Sequence, residues 1–484
     1  MPLSYFFYDL ETSGLSPRDA RVMQFAGQRT DVDFNPIGEP VNILIKLTPD
    51  VLPEPDAVLL TGITPQQVLS DGISEAQFLA YFYEQVVLPD TIFLGYNSIR
   101  FDDEFMRFLH YRNFYDAYAW QWANGCSRWD MLDVVRMTRA LRPDEISWPV
   151  TQEGKPTNRL ELITKLNKLD HYKAHDALSD VYATIAVSKL IRDKQPKLFD
   201  FLLNIRKKDK VKAIVQSGQP FTYTSSHFPS QYLHTTAAVL LARHEQQDSA
   251  IVYDLRVDPT PYLAMTSKEL AAAWHYSKDP AERLPLKTLK YNRCPALAPG
   301  VVQDKESLAR IGLSVTNVAK HLAILQSEHQ AFAKKVLAAA SELDKQRGSE
   351  DAKVVQDELS VDNRLYEGFY DANDKQLLER VRSTPPKDLG LDYAARFHDS
   401  RLRQLLPLYK ARNFPSELTQ EERTWWDDFR TRKLLDGKSE SKLAKYFARL
   451  DVLKQSGSLD ENKRFILEEL QLYGESIVPD GEAN

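Results

Sequence analysis

Asp9 and Glu11 stand two positions apart at the end of an aromatic and aliphatic run that stops at Thr12-Ser13-Gly14. In a strand, side chains two apart share a face, so both carboxylates point the same way. Two bare acids near a sheet centre repel one another and resist burial, a conflict that a divalent cation removes. The same pair on a solvated strand end needs no metal. A second group, Asn97-Ser98-Ile99-Arg100-Phe101-Asp102-Asp103-Glu104, follows a short apolar strand and places its acids in the first turn of a helix. Acids there also serve simply as complements to the helix dipole. A third group, His175-Asp176-Ala177-Leu178-Ser179-Asp180, opens an amphipathic helix. A His just before that helix and an Asp one turn inside it can face a common site, although a lone His in such a place is commonly structural.

These side chains need a scaffold that gathers them. Residues 1–195 read as alternating strands (5–10, 22–30, 41–47, 91–96) and helices (74–87, 102–112, 160–166, 176–192). Ser74 suits an N-cap, with Phe78, Phe82 and Val86 at helical spacing after it. The pattern predicts an α/β domain with a mixed sheet. Residues 196–347 differ in texture. A basic helical stretch at 203–216 precedes short strands at 237–242, 250–255 and 286–291, with a helix inserted near 267–275, so a small, mostly β unit is expected. From about residue 349 strand signals vanish, and helical patterns such as 375–381, 400–409 and 420–434 make 348–484 an all-α region. A divisor of ~150 residues per domain also points to three domains.

The chain has 484 residues, 43% hydrophobic and 27% charged, which fits a globular protein with real cores and excludes a disordered one. No apolar run approaches the ~20 residues that span a bilayer. The first residues lack the basic n-region of a signal peptide and meet Asp9 too early for one. Cys126 and Cys294 are the only cysteines and form no CxxC, which argues against a disulfide framework or a thiolate zinc site and makes a reducing cytoplasm the expected setting. The net charge is −6, from 62 Lys and Arg against 68 Asp and Glu, so any nucleic-acid binding must come from local patches. Candidates are Arg206, Lys207, Lys208, Lys210 and Lys212; Lys287, Lys290 and Arg293; and Arg401, Arg403, Lys410 and Arg412.

Taken in order, an Asp-x-Glu strand, an Asn-x-x-x-Phe-Asp junction and a His-x-x-x-x-Asp helix start resemble the DEDD exonucleases of the His-bearing type. Asp9, Glu11, Asp102 and Asp180 are then the right complement for two hard cations, because Mg²⁺ prefers oxygen ligands and keeps several waters. In the two-metal scheme the ions sit ~4 Å apart at the scissile phosphate. His175 would be the general base, a role suited to a pKa near neutrality. The junction pattern selects Asp102 over Asp103 and Glu104.

The resemblance narrows further. Phe25-Ala26, Arg29-Thr30-Asp31, Thr61-Gly62-Ile63-Thr64-Pro65, Tyr111-Arg112-Asn113-Phe114-Tyr115-Asp116, Ser127-Arg128-Trp129-Asp130, Ala140-Leu141-Arg142-Pro143, Asn292-Arg293-Cys294-Pro295 and Ala411-Arg412-Asn413-Phe414-Pro415 are similar to the bacterial exonuclease I family through nearly the whole chain. That resemblance implies a ribonuclease H-like exonuclease domain, an SH3-like β domain and a helical C-terminal domain around a DNA channel. It implies 3′→5′ degradation of single-stranded DNA, processive and releasing 5′-mononucleotides, with Mg²⁺ (or Mn²⁺) as cofactor and a monomeric state. It also implies substrate binding by Glu11 and Arg159, and docking of the acidic C-terminal tail of single-stranded-DNA-binding protein at Arg142. Phe201 replaces an aromatic hydroxyl of that docking pocket. A shorter DEDD ribonuclease would leave the residues beyond 195 without a role, and a non-catalytic scaffold would not be expected to keep all four carboxylates and the His.

Overall fold

The computed structural model describes residues 3–169, 176–244, 248–274, 277, 282–354, 358–456 and 459–478. Its first sheet runs β3-β2-β1-β4-β5: β1 (Ser4–Thr12), β2 (Val22–Thr30), β3 (Val41–Leu44), β4 (Thr91–Gly95) and β5 (Ser127–Asp130). β1 pairs antiparallel with β2 and parallel with β4, and β4 pairs parallel with β5, so the sheet is mixed as expected. Around it lie α1 (Pro55–Thr61), α2 (Pro65–Asp71), α3 (Glu75–Tyr81), α4 (Asp102–Arg112), α5 (Met131–Leu141), α6 (Leu160–Leu166) and α7 (Ala177–Lys194). Ser74 and Gln77 close a capping box at α3. The expected helix 74–87 ends in a π-helical turn, Phe82–Val86, which keeps Phe82 and Val86 in the core.

β1 alternates between two cores. Tyr5 and Phe7 face the side that α7 covers, while Phe6, Tyr8 and Leu10 face an aromatic core with Phe25, Phe78, Phe82, Phe93 and Trp120. This period-two division puts Asp9 and Glu11 on the α7 side.

The second sheet is antiparallel throughout, in the order β10-β6-β7-β8-β9: β6 (Phe221–Thr224), β7 (Thr235–His244), β8 (Ser249–Asp254), β9 (Leu286–Lys290) and β10 (Ala296–Pro299). The single basic helix expected over 203–216 is two, α8 (Pro196–Ile205) and α9 (Lys208–Val215), because Lys207 is extended between them. The break lets Phe199, Leu202 and Ile205 pack on one side of it and Val211 and Val215 on the other, in one shared core. α10 (Thr260–Leu263), α11 (Ser267–Ala273), α12 (Lys305–Arg310), α13 (Val315–Ser327) and α14 (His329–Val354) complete this part, more helix than the sequence pattern suggested. α14 crosses residue 348 without a break. Beyond it come α15 (Ala372–Ser383), α16 (Leu391–Ala394), α17 (Ser400–Asn413), α18 (Gln420–Leu435), α19 (Lys442–Lys454) and α20 (Glu461–Ser476), and no strand among the described residues.

The helical part is bound to the first sheet's surroundings in two ways. Phe108 and Tyr111 of α4 share a core with Leu402, Leu405 and Tyr409 of α17. A buried ionic cluster joins Arg21 and Asp50 to Asp362, Arg412 and Lys433.

Candidate active site

β1 and α7 bring the sequence-selected acids together. The carboxylates of Asp9, Glu11 and Asp180 each offer an oxygen within 4.8 Å of the others. Asp180 sits in the first turn of α7, whose N-cap Asp176 accepts the Ser179 N–H at 3.3 Å. Asp102 opens α4 and is buried, and its Oδ1 accepts the Leu10 N–H at 3.1 Å, which places it against the strand between Asp9 and Glu11.

Burial first, and then the charges of Asp102, Asp180 and Asp176, push the Asp9 carboxyl well above its usual range. Burial, Asp9, Asp180 and Asp176 push Glu11 up to about 9. Asp102 is also raised, mainly by burial. No cationic side chain is among the charges acting on Asp9 or Glu11 in the described residues. Buried acids without a positive partner are costly unless protonated or bound to a metal. The residues present therefore fit a hard divalent cation, which takes carboxylate oxygens.

The neighbouring acids are occupied elsewhere. Asp103 accepts the Tyr8 hydroxyl at 2.6 Å and forms an ion pair with Arg128. Glu104 accepts Arg107 at 2.7 Å and Arg293 at 2.9 Å, and also the Tyr366 hydroxyl. A second cluster, Asp371, Asp374 and His398, is accounted for by capping. Asp371 caps α15, Asp374 accepts the N–H groups of His398 and Asp399, and His398 bonds Asp371.

Two contributors escaped the sequence reading. Asp176 acts on both Asp9 and Glu11, and its only signal was its place as an Asp before a helix. Asp130 caps α5 and also accepts the N–H groups of Asn97 at 3.0 Å and Ile99 at 3.1 Å, so it shapes the turn that delivers Asp102. Asn97 has a φ of 68°, a left-handed conformation that Asn tolerates better than most residues. An Asp before the amphipathic run 131–141 is a legible N-cap signal.

Arg159 is exposed at the N-cap of α6, next to a segment held by Arg139, which donates to the Thr157 carbonyl at 2.6 Å. Arg142 is exposed at the C-cap of α5, and Arg310 of α12 donates to the Ala140 carbonyl beside it at 3.3 Å. His175 lies outside the described residues.

Of the basic groups singled out in the sequence, the helical one is largely structural. Arg401 is buried with Asp399, Lys410 with Glu422, and Arg412 with Asp50 and Asp362. Of the other two, Arg206, Lys207, Lys208, Lys290 and Arg293 line a cavity of about 1150 Å³ between the three parts of the chain, whereas Lys210, Lys212 and Lys287 do not. Arg128, Arg206, Lys207 and Lys290 contribute charge there, and Trp122 and Phe369, 66% and 90% exposed, contribute aromatic faces.

Three family models cover most of the chain: "Exonuclease" matches residues 6–188, "Exonuclease I SH3-like domain" 206–341 and "Exonuclease I C-terminal domain" 359–477. Exodeoxyribonuclease I of Escherichia coli K12 is 38% identical, over 98% of each chain. The chain belongs to the exonuclease I family. Among solved members, E. coli exonuclease I in complex with a dA16 oligonucleotide superposes with a TM-score of 0.89 at 37% identity, over 98% of this chain and 100% of that one. An SSB/exonuclease I structure in complex with the inhibitor CFAM gives 0.87 at 36% identity, over 99% of this chain and 100% of that one. Membership makes this chain an exonuclease that depends on a divalent metal. Among the described residues no helix is long and apolar enough to cross a membrane.

Proposed function

We propose that this chain removes nucleotides from the 3′ end of single-stranded DNA, processively and as 5′-mononucleotides, using two Mg²⁺ ions. The observation that carries the reading is the gathering of Asp9, Glu11 and Asp180 within 4.8 Å with Asp102 tied to the strand between them. In this reading Asp9, Glu11, Asp102 and Asp180 hold the ions. When bound, such a pair activates the attacking water and offsets charge on the leaving 3′ oxygen. His175 takes the proton from that water, Glu11 also bears on the terminal nucleotide, and Arg159 holds a substrate phosphate as a rigid fork of donors. Acids gathered before the ions arrive favour catalysis by preorganisation.

The large cavity suits the incoming strand. Its lysines and arginines answer phosphate charge, and Trp122 and Phe369 offer faces on which bases stack. The division at residues 195 and 347 belongs to the same reading: an exonuclease part, an SH3-like part and a helical part, arranged around that path. Arg142 is the proposed contact for the acidic C-terminal tail of single-stranded-DNA-binding protein, with Arg310 adjacent. A monomer in the cytoplasm completes the picture, in keeping with two free cysteines.

The deciding experiment is digestion of end-labelled single- and double-stranded DNA and of RNA, with and without a chelator. Loss of mononucleotides from the 3′ end of single-stranded DNA, stopped by the chelator and restored by Mg²⁺, is expected. Faster trimming of RNA, or activity that persists in the chelator, would overturn the proposal.

A further inference from the structure

β4 pairs with β1 as far as Phe7, and beyond that point the first turn of α4 flanks the strand. It does so through two consecutive acids. Asp102 accepts the Leu10 N–H at 3.1 Å, and Asp103 accepts the Tyr8 hydroxyl at 2.6 Å. Asp9 therefore stands between two residues that are each tied to α4. The Asp103 N–H donates to the Ser98 carbonyl at 2.8 Å, which fastens the same turn to the loop before it.

Tyr8 points into the aromatic core, on the opposite side of β1 from Asp9 and Glu11. There Arg128 of β5 forms an ion pair with Asp103 through Nη1, and all three side chains are buried. The Arg128 Nη2 donates to the Asn292 carbonyl at 2.7 Å, and the Cys294 thiol donates to the Arg128 carbonyl at 3.2 Å. The segment between β9 and β10 thus holds Arg128, Arg128 holds Asp103, and Asp103 holds the strand one residue from Asp9. In a buried network whose members are all partnered, removal of one is felt by the rest.

We infer that Asp103, clamped by Tyr8 and Arg128, is a positioning residue for the metal site, setting the separation of Asp9 from Asp102 without meeting metal or DNA itself. The inference rests on the reading of Asp9 and Asp102 as metal ligands. Ions held ~4 Å apart tolerate little change in the span of the carboxylates around them. A misplacement of ~1 Å at a reacting centre can cost about 100-fold in rate. The clamp acts at positions 8 and 103, each one residue from a ligand, so its loss lets β1 and α4 shift against each other. Arg128 also lines the large cavity, and a direct contact with the strand is the rival role.

The test is a Mn²⁺ titration of the DNA-free protein, with the free ion read by electron paramagnetic resonance, beside binding of fluorescein-labelled oligothymidylate in chelator. Tyr8→Phe and Arg128→Met are each expected to weaken Mn²⁺ binding about tenfold, the lower end for groups that orient a metal ligand. Arg128→Lys is expected to recover part of that loss. Tyr8→Phe should bind oligothymidylate as the wild type does, and should need about tenfold more Mg²⁺ for half-maximal cleavage at an unchanged KM for DNA. If Arg128→Met does not fold, Tyr8→Phe, which removes only a hydroxyl, carries the same reading. Wild-type Mn²⁺ affinity in Tyr8→Phe would overturn the clamp. So would weaker oligothymidylate binding with unchanged Mn²⁺ affinity in Arg128→Met, which would make Arg128 a contact for the strand. If Asp102→Asn binds Mn²⁺ as the wild type does, the ligand reading itself fails, a result separate from either outcome for the clamp.

Discussion

Arg412 grips Asp362 through both guanidinium nitrogens, Nη1 to Oδ1 at 2.8 Å and Nη2 to Oδ2 at 2.7 Å, and the same Nη2 reaches Asp50 at 2.7 Å. Lys433 and Arg21 complete the set, at 2.6 Å from Asp50 and 2.9 Å from Asp362. All five are buried or nearly so, and the cluster links the loop after β3 to α17 and α18 across the whole length of the chain. Burial opposes ionisation of Asp50 and Asp362, yet Arg412, Lys433 and Arg21 outweigh it and hold both carboxyls below their usual range.

That cluster predicts an acid-labile joint. Groups whose folded pKa is depressed contribute stability above the unfolded value of 3.8 that is lost as pH falls below it. Thermal melts should therefore drop steeply below about pH 4, and less steeply in an Asp50→Asn/Asp362→Asn double variant. Arg412→Met alone should cost about 3–5 kcal/mol at neutral pH, because it leaves buried acids short of a partner. A melting temperature unmoved by that variant would remove the cluster from the account of stability.

Asp102→Asn and Asp180→Asn should each lower the rate on single-stranded DNA by more than about 100-fold, the upper end for losing a group merely supporting a metal ligand. The circular dichroism spectrum should be unchanged. Mg²⁺ should raise the melting temperature of the wild type, by about 2.7 kcal/mol of stabilisation at a hundred times its Kd, and raise that of either variant less. Equal metal-induced shifts in all three proteins would contradict the ligand set.

Phe369→Ala and Trp122→Ala should weaken oligonucleotide binding by about 1–3 kcal/mol each, the usual worth of one base stacked on an aromatic ring. Both rings are mostly exposed, so thermal stability should stay within about 0.5 kcal/mol. Unaltered affinity in both would mean that the strand runs elsewhere.

Arg142→Ala should weaken capture of an acidic tail peptide by about 1.5–3 kcal/mol, as for a lost charge-assisted hydrogen bond. Titration of a labelled peptide against wild type and variant measures it, and equal affinities would place the docking site away from the end of α5.

The legible parts of the fold were those with long, regular patterns. β2, α4 and α6 fall where strand or helix spacing placed them, and β1 differs only at its ends. β5 was missed because four residues, Ser127-Arg128-Trp129-Asp130, carry too little alternation to register, although Arg128 and Trp129 are both buried. β6 and β10 are equally short. The break between α8 and α9 was hidden because basic residues on both sides mask the change of buried face. At the site, the acids were legible because chemistry requires their type and order. Asp130 was legible only as a cap of α5; its hold on the turn before Asp102 was not, because that work is done on backbone N–H groups supplied by a distant loop. Charge runs misled in the helical part, where Arg401, Lys410 and Arg412 turn inward to acids far away in sequence or across a turn.

Glu104 belongs to the same first helical turn as Asp102 and takes partners from three regions: Arg107 of its own helix, Arg293 between β9 and β10 of the second sheet, and Tyr366 before α15. A fragment cut near residue 195 would keep every acid proposed to bind metal and lose two of the three side chains that steady this turn. The later three-fifths of the polypeptide thus serve the chemistry even where they touch no substrate, and trimming the enzyme to its apparent minimum would blunt the part retained.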